Sequence, residues 1–258
     1  MAFTVLAVGD VVSASGLRLL SARLRRVIRA TGADFTVVNG ENAAGLGLTP
    51  RQAEDMLDAG ADVITLGNHS FHKMEICDYL DDCGRILRPA NLAPQNPGRG
   101  WGLFDTRCGP ALVLNLIGRC GMDFGPDNPF LEADRILKAH PARFTLVDFH
   151  AEATSEKLAM GWHLNGRASA VWGTHTHVQT SDGGVLPGGT GYITDLGMTG
   201  PRDSVLGIRP EQSVSMFLGN PKGRFEAAAG PAKLECAVFT LNEDTGRCEQ
   251  VTALRVEE

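Results

Sequence analysis

Short apolar runs, each closed by a polar, glycine-containing break, set the rhythm of this chain. Phe3–Val8 is a β-prone run that stops at Gly9-Asp10. Leu17, Leu20, Leu24, Val27 and Ile28 then recur at helical spacing and predict an amphipathic helix. Phe35–Val38 predicts a second strand, closed by Asn39-Gly40-Glu41-Asn42. Thr49 followed by Pro50 predicts a capped helix start with Ala53, Met56 and Leu57 on one face. A third strand, Val63–Leu66, runs into Gly67-Asn68-His69. Further strands are predicted at Leu112–Leu116, at Phe144–Phe149 ending on His150, and at Ala170–Trp172 leading into Gly173-Thr174-His175-Thr176-His177. Tyr192–Thr194, Val214–Leu218, Cys236–Leu241 and Val251–Val256 complete a strand-rich C-terminal half.

Most of these runs are continuously apolar rather than alternating, which predicts strands covered on both faces. Strand–helix alternation at the front and closer strands at the back predict a layered α/β sandwich, with mixed sheets flanked by helices. The Pro/Gly-containing stretches 94–102 and 183–191 sit between apolar runs and read as loops, not linkers. A single domain over residues 1–258 is therefore expected.

Charge and cysteine content narrow the function classes. The net charge is −6, and the one basic group, Arg23, Arg25 and Arg26, fits the solvated face of a helix, so a footprint for duplex nucleic acid is absent. A small phosphorylated substrate stays open, because bound cations would reverse the local field. The six cysteines form no C-x-x-C pair and no zinc spacing, which suits reduced thiols in the cytoplasm. Met1–Val8 lacks a basic start and is interrupted by Asp10, and no apolar run nears the ~20 residues needed to cross a bilayer. The expectation is a soluble cytoplasmic protein without a membrane partner. No heptad marks an oligomer interface, although a symmetric homo-oligomer is compatible with this size.

Chemistry enters at the strand ends. Asp10, Glu41-Asn42, Asn68-His69, His150 and His175/His177 all follow apolar runs, and ligands of α/β sheets gather outside the carboxyl ends of strands. Singly, each has an ordinary alternative: Asp10 fits a helix N-cap, Asn42 and Asn68 fit turns beside glycine, and His150 fits a hydrogen-bonded histidine. Together they place two carboxylates, two amides and four of the seven histidines at one topological position. His175 and His177, two apart, would point to one side of an extended backbone. Nitrogen and oxygen donors without thiolate favour iron, manganese or zinc. The seven groups other than His69 exceed one tetrahedral zinc and suit two ions bridged by a carboxylate, the arrangement that clamps phosphoryl transfer.

These motifs resemble, in order, those of the calcineurin-like metallophosphoesterases. The strings Asp148-Phe149-His150-Ala151-Glu152-Ala153-Thr154-Ser155-Glu156-Lys157 and Asp195-Leu196-Gly197-Met198-Thr199-Gly200-Pro201 resemble the YmdB-like phosphodiesterase branch, and the likeness runs from Phe3 to about Val256. Val12 stands where the wider superfamily has a histidine and Glu41 where it has an aspartate; both are usual in this branch. The resemblance implies Asp10, Glu41, Asn42 and His177 on one metal, and Glu41, Asn68, His150 and His175 on the other, the ions being iron, manganese or both. It implies a small cyclic-nucleotide substrate, 2′,3′-cyclic and opened at the 2′ oxygen. The expected mechanism is in-line attack by a hydroxide bridging the two metals, with His69 as general acid, or alternatively as a residue that orients a ligand. Asp148 and Glu152 are candidates either for orienting ligands or for capping a helix near Thr154. His72, His140 and His163 read as surface or helix residues, and Phe71, Phe124 and Trp162 as candidates for stacking on a base. A phosphomonoesterase or nucleotidase, and a non-catalytic metal-binding regulator, are the alternatives.

Overall fold

The apolar runs become the strands of two facing sheets in a computed structural model that describes residues 2–123, 125–220 and 223–258. In chain order the elements are β1 (Ala2–Val8), β2 (Asp10–Val11), α1 (Ser13–Thr31), β3 (Phe35–Asn39), α2 (Pro50–Ala59), β4 (Val63–Thr65), α3 (Ile76–Asp82), β5 (Ile86–Leu87), β6 (Trp101–Thr106) and β7 (Gly109–Ile117). They continue with α4 (Pro129–Ala139), β8 (Phe144–His150), α5 (Thr154–His163), β9 (Ala170–Thr174), β10 (Gly184–Val185), β11 (Gly191–Ile193), β12 (Met198–Pro201), α6 (Pro210–Phe217), β13 (Ala232–Asn242) and β14 (Cys248–Glu257). One sheet runs β2-β12-β13-β1-β3-β4-β5, with β14 also paired to β13; the other runs β10-β11-β9-β8-β7-β6.

Both sheets are mixed. The ladders β1–β3–β4–β5 and β7–β8–β9 are parallel, so their carboxyl ends share a direction within each sheet, while β13 returns antiparallel beside β1. The sheets pack face to face through Phe3, Val5, Val37, Phe144, Leu146, Trp172 and Phe239. Leu20 and Leu24 of α1 and Met56 of α2 cover the outer face of the first sheet against Leu6, Val38 and Ile64. Ile136 of α4 and Met160 of α5 cover the second against Leu114, Val147 and Val171. Burial on both faces is the physical reason these strands read as unbroken apolar runs. The result is the expected α/β sandwich of mixed sheets flanked by helices.

Local signals held where they had a backbone rationale. Thr49 caps α2 in a reciprocal capping box with Gln52, and Pro50 opens the helix. Three readings need correction. Val214–Leu218 is not a strand: Pro210 opens α6 through Phe217, and the β-branched, apolar run is its partly exposed side. The stretches 94–102 and 183–191 are not wholly loop, since β6 begins at Trp101 and β10 occupies Gly184–Val185. Asp10 is not a helix cap, because α1 starts after Val12 and Asp10 lies in β2. Among the described residues, no helix is long and apolar enough to cross a membrane.

Candidate metal centre

The strand ends meet at one rim of the sandwich. Glu41 and Asn42 follow β3, Asn68 and His69 follow β4, His150 closes β8, and His175 and His177 follow β9. A buried network ties the two sheets beneath them: the Asn39 amide donates to Asp148 Oδ2 at 3.2 Å, and Thr65 Oγ1 donates to the same carboxylate. Asp148 thus bridges the two sheets; it does not cap α5, whose N-cap is Ala153.

Around His150 Nε2 the spacing is tight. Glu41 Oε1 lies 3.0 Å away, Asn68 Oδ1 2.9 Å and His175 Nδ1 3.0 Å. Cation–donor bonds of about 2.1 Å at right angles put neighbouring donors about 3.0 Å apart, so this is the spacing of groups that share a small ion. Gly67 keeps the space clear, because a Cβ there would sit 2.3 Å from both Glu41 Oε2 and His150 Nε2. Next to this group, Asp10 Oδ1 lies 3.8 Å from His177 Nε2 and 3.9 Å from His150 Nδ1. Asp10 Oδ1 is buried and, among the described residues, has no hydrogen-bond partner, which a cation would supply. Asn42 Nδ2 stands 3.0 Å from Glu41 Oε1 and 3.3 Å from His177 Nε2; turning the amide over brings its oxygen to the same place.

Each histidine is held from outside by a partner that sets its tautomer. Thr174 Oγ1 donates to Asp148 Oδ1 at 2.7 Å, so it accepts from His150 Nδ1–H at 2.9 Å and leaves His150 Nε2 for the centre. His175 Nε2–H faces Glu152 Oε2 at 3.1 Å, leaving Nδ1 inward. His177 Nδ1–H donates to the Leu206 carbonyl at 3.1 Å, leaving Nε2 inward. Such outer partners are the usual companions of histidines that bind metal. Glu152 was a sequence candidate for this role. Thr174 and Leu206 were not, since a hydroxyl and a backbone carbonyl carry no distinctive pattern.

The extended backbone inferred for His175 and His177 is incorrect. Both have positive φ, 99° and 62°, so the loop turns left-handed at each, and the two rings are aimed by local turns rather than by strand alternation. The His175 N–H donates to Asp10 Oδ2 at 3.1 Å, which fastens that turn to the opposite sheet.

Burial and proximity set the charges. Burial raises the Asp10 carboxyl to about 6, against the pull of His177 and His150. Burial acts the same way on Glu41, but the charge and hydrogen bond of His150, with His69, overcome it and hold that carboxyl at about 2. Burial disfavours charge on His150, yet Glu41, then Asp10 and Asp148, raise it to about 9. Burial and the charge of His150 push His175 down to about 3. His150 thus holds a proton against the ionised Glu41, and a cation fits where that proton acts. Glu41, His150 and His175 bring their donor atoms within 4.8 Å of one another.

A cavity of about 590 Å³ opens above Glu41, Asn42, His175 and His177, with His69 in its wall and Leu46, Leu206 and Phe225 exposed around it. The His69 N–H donates to Glu41 Oε2 at 3.1 Å, its Nε2 is 3.3 Å from Asn68 Nδ2, and its Nδ1 is 3.3 Å from His72 Nδ1. Burial lowers the His69 imidazole, partly countered by Glu41. A second cavity of about 560 Å³ lies on the other side of Asn68 and is lined by Phe71, Asn91 and Asn96. Of the stacking candidates, Phe71 borders this second cavity, Trp162 is exposed on α5 away from both, and Phe124 lies outside the described residues.

Comparison with known proteins can be set beside this geometry. A family model described as YmdB-like protein matches residues 6–254. The 2′,3′-cyclic-nucleotide 2′-phosphodiesterase of Bacillus subtilis (strain 168) is 42% identical over 257 residues, covering 98% of this chain and 96% of that protein. A crystal structure of a hypothetical protein from Thermus thermophilus matches with a TM-score of 0.93 at 39% identity, covering 99% of this chain and 100% of the other. That of a novel phosphatase from Mycoplasma pneumoniae matches with a TM-score of 0.94 at 32% identity, covering 100% and 94%.

Proposed function

This chain belongs to the YmdB-like family, and on that premise we propose that it is a metal-dependent phosphodiesterase that opens 2′,3′-cyclic nucleotides at the 2′ oxygen. The observation that carries this reading is the set of three histidines, each fixed from outside so that one basic nitrogen faces Glu41 and Asp10. Two ions, iron or manganese, suit these donors: Asp10, Glu41, Asn42 and His177 for one, Glu41, Asn68, His150 and His175 for the other, with Glu41 shared. When bound, such a pair supplies water of lowered pKa and positive charge for the phosphoryl oxygens.

The chain's own residues do the remaining work. Asn68 turns its oxygen to His150 and its amide nitrogen to His69, so His69 Nε2 is the basic nitrogen on the side of the centre. With burial lowering its pKa, His69 rests neutral and accepts at Nε2; taking up a proton there as substrate binds, it would give that proton to the departing ribose oxygen. Leu46, Leu206 and Phe225 offer apolar faces to a nucleobase at the mouth of the cavity. We take the working unit to be the whole chain, residues 1–258, because the core between the sheets draws on Phe3 at one end and Phe239 at the other. The free state of all six cysteines supports a reducing compartment, the cytoplasm.

The test is hydrolysis of 2′,3′-cyclic AMP, 3′,5′-cyclic AMP, bis-p-nitrophenyl phosphate and p-nitrophenyl phosphate by the metal-loaded protein, with Asn68→Ala as control. Preference for the 2′,3′-cyclic diester with release of the 3′-monophosphate is expected. Turnover of the monoester alone would make the protein a phosphomonoesterase or nucleotidase. Two ions bound without turnover of any substrate would make it a non-catalytic regulator.

A further inference from the structure

The two long strings that mark the family, 148–157 and 195–201, contain residues that the reaction leaves unused, and their ends meet. Lys157 Nζ lies 2.6 Å from Asp195 Oδ2, and both side chains are buried. The same Oδ2 accepts the Thr176 N–H at 3.2 Å and the Thr176 Oγ1–H at 2.7 Å, while Oδ1 accepts the Gly197 N–H at 2.8 Å. Thr176 is the one residue between His175 and His177. We propose that Lys157 and Asp195 are positioning residues, a buried ion-pair clamp that holds Thr176 so that His175 and His177 keep the geometry needed to retain metal.

Several independent features fit this role. Left-handed φ at two non-glycine residues is strained and persists only where surrounding contacts over-determine it. The clamp supplies those contacts from below, as the Asp10 carboxylate does for His175 from the facing sheet. Gly173 is shaped to the clamp: a Cβ there would stand 2.9 Å from Lys157 Cδ and closer still to the Thr194 carbonyl, so the lysine stem reaches Asp195 only past a glycine. Asp195 is tied a second time beyond the loop, its N–H donating to Thr180 Oγ1 at 2.9 Å and its carbonyl accepting the Thr180 N–H at 3.1 Å. The Gly197 carbonyl then accepts the Asp10 N–H at 3.2 Å. One segment thus braces ligand-bearing loops on both sheets. Stability alone does not account for the pair, because buried ion pairs replaced by apolar side chains of similar volume are often neutral or more stable.

The inference rests on reading His175 and His177 as ligands. Metal-stripped wild type, Thr176→Val, Thr176→Ser and the double variant Lys157→Met/Asp195→Leu would be titrated with Mn²⁺ and melted without it. Thr176→Val is expected to weaken Mn²⁺ retention about 10–100-fold, as loss of an outer-shell partner does, with an unchanged melting temperature; Thr176→Ser should restore it. The double variant should lose Mn²⁺ to a similar extent while still folding, and where it does not fold the Thr176 pair decides. Wild-type Mn²⁺ affinity in Thr176→Val, or in a folded double variant, would overturn the clamp. Failure of wild type to take up Mn²⁺ would instead overturn the ligand reading beneath it.

Discussion

The candidate metal centre has two halves built on different principles. Asp10, Glu41 and His150 sit in strands or at the first residues beyond them, fully buried, and their backbones are placed by sheet ladders. His175 and His177 sit on a turning loop, partly exposed and with left-handed φ, and are placed by side chains: Asp195 through Thr176, Glu152, and the Leu206 carbonyl. In the strand half the fold itself does the positioning, whereas the loop half needs a dedicated shell of polar contacts. Damage to the first should therefore reach stability as well as metal binding, and damage to the second should reach metal binding alone.

The largest effect expected comes from setting the halves against each other. His150→Ala removes the partner of a buried carboxylate, Glu41, and breaking such a pair costs about 3–5 kcal/mol. His177→Ala removes a partly exposed ring, and the buried Asp10 it faces at 3.8 Å keeps His150 at 3.9 Å and the His175 N–H. Both variants should lose turnover, but in the metal-stripped state only His150→Ala should melt substantially lower. Equal melting temperatures would break the comparison. The wild type carries a related pH signature. His150 lies at about 9 in the folded protein against an ordinary 6.5, so the stability it contributes is complete below pH 6.5 and lost as pH rises through about 9. Asp10, raised from 3.8 to about 6, adds a loss of the same sign at lower pH. Below pH 6.5 the lowered His175 opposes that loss, so metal-stripped protein should melt progressively lower from about pH 6.5 to 9. Bound cations should offset that trend, because ligation displaces those protons.

On the proposed reading His69 is a ligand of neither half, and its replacement would separate proton transfer from metal holding. His69→Ala should lower kcat about 10²–10⁴-fold with metal content unchanged. Metal lost in parallel, measured by elemental analysis of the purified variant, would make His69 part of the ligand shell. Glu152→Ala comes next, at about 10–100-fold in Mn²⁺ affinity, because His175 Nε2–H would lose the carboxylate that sets its tautomer. Glu152→Gln keeps an acceptor oxygen and should recover part of the loss. Identical behaviour of the two variants would show that the hydrogen bond does not matter.

The same division decides what could be read from the chain. The strand half was legible because a buried strand leaves a continuous apolar run, and the residue that interrupts it lands at the rim. Asp10, Glu41, Asn68 and His150 were located that way, and the layered sandwich followed from the order of the runs. The loop half was legible only as a pair of histidines. The conformation assumed for them was wrong, since nothing local marks a non-glycine residue as left-handed; the cause lies in Asp10 and in Asp195, far along the chain. Helix α6 was misread for a related reason: its Val214–Leu218 run is β-prone in composition, and the overriding signal is Pro210 at the helix start. Asp148 and Lys157 stood in a string that resemblance picked out, but what each touches became apparent only in three dimensions.

The smallest effect concerns the rim, where neither ladders nor a polar shell act. Phe225 is 46% exposed and lines the cavity. Stacking of a base on an aromatic ring is worth about 1–3 kcal/mol, and partial exposure argues for the low end, about fivefold in KM. Phe225→Ala should therefore raise KM for 2′,3′-cyclic AMP about fivefold. Its kcat, metal content and inhibition by inorganic phosphate should stay at wild-type values, because phosphate binds without a base. Phe225→Trp should restore KM. An unchanged KM in the alanine variant would move the base to the cavity beyond Asn68, where Phe71 offers the other aromatic face, and Phe71→Ala would then carry the loss.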